Sequence, residues 1–245
     1  MKKSCLIAAA AIWLSAAPVL ASEIHWGYTG EQGPDHWATL DESFRLCGEG
    51  KNQSPVDLTG TIEAELDEAK FEYIGLATEI VNNGHTIQVN YAAGSRFTLA
   101  GHTYYLKQFH FHAPSENLID GKSFPMEGHF VHADMHGNLA VIAVMYTVGE
   151  ENGAMKKLWR QMPAEAGTTV AMASRVKAEE LMPESRDYYR FNGSLTTPPC
   201  SEGVLWLVMK NPVTISEEQL NRFTEVMHHP NNRPVQPLNA RAVLR

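Results

Sequence analysis

The sequence predicts a mainly β, α+β fold: a single domain built on a large central, mostly antiparallel twisted sheet with short peripheral helices. Three observations predict it. Short runs rich in β-branched and aromatic residues recur between turn residues along most of the chain, the connections between several of them are short, and helical periodicity is confined to two brief stretches. No internal repeat, charged tail or low-complexity linker divides residues 22–245, and all-β domains of this length are common.

Residues 1–21 stand apart. Lys2 and Lys3 precede an almost wholly apolar run at 5–17, and Val19-Leu20-Ala21 ends in a small residue, the pattern of an export signal with its cleavage site. The run is short for a bilayer span. An N-terminal anchor or a core helix is the alternative, and Pro18 with its small neighbours favours cleavage. The expected strands then follow in order: 85–91 after Asn82-Asn83-Gly84, 95–99, 103–112 before Ala113-Pro114, 127–133 before Asp134, 139–148, and 203–209 before Asn211-Pro212. Helices are expected at 152–161 and 216–228. The second opens on Ser216 with Glu218 and Gln219 near the capping-box position and places Leu220, Phe223 and Met227 on one face. Pro230, Pro234 and Pro237 make 230–241 an irregular segment laid over the body.

Acidic residues outnumber basic ones 28 to 20, for a formal charge of -8, so the clustered positive potential that nucleic acid or anionic lipid requires is missing. Of the three cysteines, Cys5 leaves with the signal. Cys47 and Cys200 are too far apart for a CxxC motif, and an exported pair reads as one structural disulfide, with two buried free thiols as the alternative. The mature chain is expected to be soluble in an oxidising space, with no membrane partner.

Eleven histidines are a high count, and they are grouped. Along QFHFH at 108–112, strand alternation sends Gln108, His110 and His112 to one face and Phe109 and Phe111 to the other. Along EGHFVH at 127–132 it sends Glu127, His129 and Val131 one way, with Phe130 and His132 behind. If the two runs pair, three imidazoles converge at a spacing one zinc ion can bridge, and three protein ligands leave a fourth position open for water, the arrangement of a catalytic site. Gln108 and Glu127 each stand two residues before a histidine, as acceptors able to orient a ligating imidazole through its second nitrogen. A lone histidine would read as a hydrogen-bonded sheet residue. A cupin-like site wants further ligands at a different spacing.

These segments, with HWGY at 25–28, QSPVD at 53–57, NNGHTIQV at 82–89, SEN at 115–117, LAVI at 139–142, GSLTTPPC at 193–200 and RPVQPL at 233–238, resemble the α-class carbonic anhydrases of the exported bacterial type over essentially all of 25–241. The departure is Ala113-Pro114, where many animal members carry Trp-Gly. The resemblance implies a periplasmic enzyme with one Zn2+ per chain that hydrates carbon dioxide reversibly to bicarbonate and a proton by zinc-hydroxide attack, with external buffer as the final proton acceptor.

By that likeness His110, His112 and His129 hold the zinc. Gln108 and Glu127 orient two of them, and the Asn231 backbone carbonyl steadies His112. Thr196 accepts the nucleophile's proton in a hydrogen bond and donates its own to Glu116, a carboxylate that can only accept. Thr197 helps bind bicarbonate. Val131, Val141, Leu195, Val204 and Trp206 form the apolar wall that carbon dioxide, which has no dipole, requires. A group of pKa about 7 can shed protons directly to water only about 10^3 times per second, so the turnover of about 10^6 per second known for this enzyme class needs a relay. The resemblance places His85 there, with Tyr28 and Asn83 ordering the intervening water. Strict alternation puts His85 and Gln88 on opposite faces, so a local bulge is expected between them. Two other readings compete: a different zinc hydrolase, disfavoured by the absence of an HExxH motif, and a non-catalytic carbonic anhydrase-like binding protein, expected to have lost a zinc histidine. Oligomeric state is not legible.

Overall fold

A computed structural model describes residues 25–245, so the signal segment 1–21 and Cys5 lie outside the described residues. The described chain opens with two single-turn helices, α1 (Trp37–Leu40) and α2 (Leu46–Glu49), and then the strands β1 (Asp57–Leu58), β2 (Lys70–Glu72), β3 (Ala77–Asn82), β4 (Ile87–Tyr91) and β5 (Arg96–Leu99). The long central strands come next: β6 (His102–His112), the short β7 (Leu118–Ile119), β8 (Met126–Ala133) and β9 (Leu139–Val148). After α3 (Gly153–Trp159) come β10 (Thr168–Ala171), β11 (Tyr188–Ser194), β12 (Glu202–Met209), β13 (Val213–Ile215) and α4 (Glu217–Met227).

Eleven strands form one sheet whose main path runs β10-β3-β4-β6-β8-β9-β12-β11. Most pairs are antiparallel, whereas β9 pairs in parallel with both β12 and β13, so the twisted sheet is mixed around its centre. The sequence of β9, LAVIAVMYTV, suits that place. Its continuous apolar run buries both faces: Ala140, Ile142, Val144 and Tyr146 join a large core with Phe109, Phe111 and Phe130, while Val141, Ala143 and Met145 join a second core with Trp206 and Val208. The metal-facing side chains lie on the second side.

The helices cap and cover. Ser216 Oγ accepts the Gln219 N–H at 3.2 Å and Gln219 Oε1 accepts the Ser216 N–H at 3.0 Å, the reciprocal cap that the sequence suggests. Residues 230–241 contain no helix or strand, as their prolines require. They are held instead by side chains: the buried Arg233 guanidinium donates to Gln53 Oε1 at 2.9 Å and to the carbonyls of Ser54 and Cys47, each at 2.7 Å. At the far end Leu244 exchanges two main-chain hydrogen bonds of 2.9 Å with Arg190 on β11, the last strand of the sheet path.

Cys47 and Cys200 form a disulfide with a sequence separation of 153, tying α2 to the loop that carries Thr196 and Thr197. Closing so long a loop restricts the unfolded chain by up to about 5 kcal/mol in the chain-entropy treatment. At about 2–4 °C per kcal/mol for a domain of this size, reduction should lower the melting temperature by up to about 10–20 °C. An unchanged melting temperature in reductant would show that the bridge contributes nothing.

His132 lies behind the metal-facing side, as alternation predicts. It is fully buried, with its Nδ1–H donating to the Phe130 carbonyl at 2.8 Å and Nε2 accepting the Tyr73 hydroxyl at 2.7 Å. Burial pushes its pKa from 6.5 down to about 3, against the pull of its bonds to main-chain carbonyls. Between those values the unfolded chain carries a proton that the native chain does not, so stability is lost as pH falls below 6.5, at about 1.4 kcal/mol per pH unit for one proton. His132→Gln should flatten that slope in urea titrations between pH 6 and 4 by close to one proton. An unaltered slope would exclude His132 as its source.

Candidate metal centre

The two histidine strands do pair. β6 and β8 run antiparallel with His110 opposite His129 and His112 opposite Glu127, after a register shift between Leu106 and Gln108 that places one residue out of the ladder. Beyond that irregularity the alternation is regular, and the three imidazole centroids lie 4.6 to 5.4 Å apart.

Each ring has one nitrogen committed. His110 Nδ1 lies 2.9 Å from Gln108 Oε1, His112 Nδ1 2.7 Å from the Asn231 carbonyl, and His129 Nε2 2.9 Å from Glu127 Oε1. All three partners accept, so the network assigns those nitrogens as N–H donors. The remaining atoms, His110 Nε2, His112 Nε2 and His129 Nδ1, carry lone pairs, and a metal-ligating atom from each of the three residues lies within 4.8 Å of the other two. Burial pushes all three pKa values down, which keeps the rings in the neutral form a metal needs. His112 Nε2 is buried without a hydrogen-bond partner. Such an atom is costly in an apolar interior, and a cation is what this donor set fits.

The carboxylates behind the rings differ. Glu127 is saturated: it also accepts the N–H groups of Glu116 at 2.7 Å and Asn117 at 2.8 Å and the Asn117 side-chain amide at 2.7 Å. Glu116 accepts the Arg233 N–H through Oε1 at 2.8 Å, but its buried Oε2 has no partner of ordinary hydrogen-bond geometry. Burial raises its pKa to about 8. The Arg233 N–H and the Thr196 hydroxyl pull the other way, and Glu127 adds to the rise. Thr196 is buried and close enough to stabilise the Glu116 anion, although the hydroxyl–carboxylate bond read from the sequence is not closed to normal geometry. A cation among the imidazoles would favour ionisation of both carboxylates.

A cavity of about 130 Å³ reaches the rings, with Tyr28, Asn83, His85, Thr197, Gln108, His110 and His112 in its lining. A larger cleft of about 660 Å³, lined by charged side chains of α3 and α4, lies away from the histidines. On the other side of His129 the Trp206 ring stands edge-on at 4.9 Å, in one apolar cluster with Val131, Val141, Leu195 and Val204. The structure thus brings Tyr28, Asn83, His85, Gln108 and Thr197 to one cavity with His110 and His112, and sets Trp206 with its apolar cluster against His129.

One expectation is corrected. There is no bulge between His85 and Gln88. β4 begins only at Ile87, and His85 sits in the preceding turn, where Gly84 adopts φ +85° and strand alternation does not apply. Asn83 Oδ1 closes that turn by accepting the His85 and Thr86 N–H groups, both at 2.9 Å. Three participants were given no role from sequence. Trp26 lies flat against the His85 ring, with centroids 3.8 Å apart and planes within 6°. Arg233 is the cation behind Glu116. Thr86 lines the cavity beside His85. Trp26 was visible beside His25, since an aromatic in a short polar segment seeks a surface to cover. Nothing local marks the other two.

The sequence profile of the eukaryotic-type carbonic anhydrases matches residues 32–245. The chain belongs to the α-carbonic anhydrase family. Among its relatives in the family are the carbonic anhydrase of Neisseria gonorrhoeae, 50% identical over 94% of this chain and 91% of that one, and that of Pectobacterium atrosepticum, 49% identical over 91% and 92%. The α-carbonic anhydrase of Thermovibrio ammonificans, solved in complex with the inhibitor sulfanilamide, superposes with a TM-score of 0.89 at 50% identity, covering 91% of this chain and 99% of that one. An enzyme of the carbonic anhydrase class follows from family and fold together. The α-carbonic anhydrases are zinc enzymes, and His110, His112 and His129 form a possible metal site of that kind.

Proposed function

We propose that this chain catalyses the reversible hydration of carbon dioxide with one zinc ion held by His110, His112 and His129. The observation that carries the reading is the convergence of one metal-directed nitrogen from each of three neutral rings, each fixed by an acceptor behind it, against an apolar wall. Zinc in such a site supplies a Lewis acid that brings the pKa of a coordinated water to about 7. The chain's own groups do the rest. Thr196, donating to Glu116, keeps only lone pairs for the attacking oxygen and so turns that oxygen's own lone pair toward substrate. Val131, Val141, Leu195, Val204 and Trp206 exclude water from the carbon dioxide position, and Thr197 receives bicarbonate. We place these residues in one catalytic domain of residues 22–245, exported to the periplasm by residues 1–21, which are then removed. A binding-only homologue has less support, since all three imidazoles and their orienting acceptors are in place.

Stopped-flow hydration with a pH indicator, on protein of measured zinc content, tests the reading. About one zinc per chain and a rate abolished by sulfanilamide are expected, and zinc without a rate above buffer would refute it.

His85 is the proton relay in this reading, with Tyr28 and Asn83 ordering water on its metal side. Burial, with the nearby His25 and His229, holds its pKa below the ordinary 6.5, so at neutral pH the ring is free to accept a proton. His85→Ala should lower kcat about tenfold or more in weak buffer, leave kcat/KM nearly unchanged, and recover in part with imidazole. A variant as fast as the parent in weak buffer would remove His85 from the relay.

A further inference from the structure

The turn that carries His85 is bonded to the metal-holding strand by two side chains with no part in coordination. Regular β4–β6 pairing reaches only Gln88 opposite His110. Phe111, between His110 and His112, therefore has main-chain groups on the β4 side with no strand to meet. Thr86 meets them: its buried hydroxyl donates to the Phe111 carbonyl and accepts the Phe111 N–H at 3.2 Å. Asn231, wholly buried, adds a second tie, its Nδ2 donating to the Phe111 carbonyl at 2.9 Å and to the His85 carbonyl at 3.1 Å. Its Oδ1 accepts the Ala113 N–H at 2.9 Å, so both carboxamide donors and the acceptor are used.

We propose that the Thr86 hydroxyl and the Asn231 carboxamide are positioning groups that hold the His85 turn in fixed register with the strand bearing His110 and His112. The inference rests on the reading of His85 as proton relay. Transfer through bridging water needs donor and acceptor at hydrogen-bond spacing throughout, and a displacement of about 1 Å can cost about 10^2-fold in rate. Asn83 closes the turn only onto itself, and Trp26 covers only the ring face. The two ties to Phe111 are what relate the relay to the metal strand.

Two variants separate this from a general structural role. Thr86→Val is close to isosteric and lacks the hydroxyl, with Thr86→Ser as the conservative rescue. Asn231→Ala removes the carboxamide but keeps the main-chain carbonyl that orients His112. On zinc-analysed protein, both should lower kcat in weak buffer about fivefold to tenfold and recover with imidazole, and in Thr86→Val, whose residue has no part in holding the metal, kcat/KM and zinc content should stay near parental values. In NMR spectra of the zinc-free protein, the His85 amide should exchange faster in both variants, and Thr86→Ser should match the parent. Thr86→Val with its Thr86→Ser control decides the matter on rate, and the His85 amide exchange of Asn231→Ala decides it if Thr86→Val does not fold. Variants that keep parental kcat in weak buffer while His85→Ala is slow would overturn the inference and leave the relay reading intact. If His85→Ala is also parental, both fall. Zinc loss with a parallel fall in kcat/KM in Thr86→Val would show that the hydroxyl acts on the metal site, and would also overturn the inference.

Discussion

Alanine at position 110 is expected to leave a protein that folds, binds zinc about 10^2–10^3-fold more weakly and hydrates no carbon dioxide above background. Zinc held by four protein ligands is worth about 10–16 kcal/mol, so one ligand carries about 3–4 kcal/mol. His110 is the informative choice because it is the half-buried member of the three and stands directly opposite His129, so its removal strips one donor without emptying the core. Competition with a chromophoric chelator measures the loss. A second readout is stability: a ligand that binds only the folded state stabilises it in proportion to the logarithm of its concentration over Kd, so the chelator-induced drop in melting temperature should shrink in His110→Ala. Parental zinc affinity would show that position 110 is not a ligand.

Valine at position 196 should lower kcat/KM about 10^2-fold with zinc content unchanged, the usual cost of removing one oriented hydrogen-bonding group from a reacting centre. The exchange conserves volume and deletes only the hydroxyl. With it goes the group that stabilises the Glu116 anion, so Glu116, already raised to about 8 by burial, would rise further. Parental kcat/KM in Thr196→Val would remove Thr196 from the chemistry and leave it a loop residue before Pro198. Both results separate roles by pairing zinc content with rate: His110→Ala loses both, Thr196→Val only the rate.

How far the sequence could be read depended on how local each determinant is. QFHFH and EGHFVH carry their faces in their own alternation, and β6, β8 and β9 lie within a residue of the expected bounds. Strands were missed where alternation is short or masked. β13 has three residues just after Asn211-Pro212, and β11 ends in Asn192-Gly193-Ser194, which reads as a turn yet continues in the ladder against β12. Gly193 is accepted there because Ser54, Phe191 and Trp206 crowd the space a Cβ would fill. His85 shows the opposite error. Its position two residues before β4 was invisible, so a strand rule was applied to a turn. Arg233 and Thr86 act through partners far along the chain, Cys47 and Phe111 among them, and no local pattern signals such contacts.

The pairing of Leu244 with Arg190 guards one point of an open strand edge. β11 closes one side of the sheet path and would otherwise present unpaired main-chain groups to any passing strand, the template from which chain-to-chain aggregation grows. Arg245 adds a further hydrogen bond of 3.0 Å to the Ile62 carbonyl, so Leu244 and Arg245 are stitched to two separate segments. Covering that edge helps keep one copy's sheet from recruiting another's, a contribution to colloidal behaviour made away from the three histidines and indifferent to catalysis.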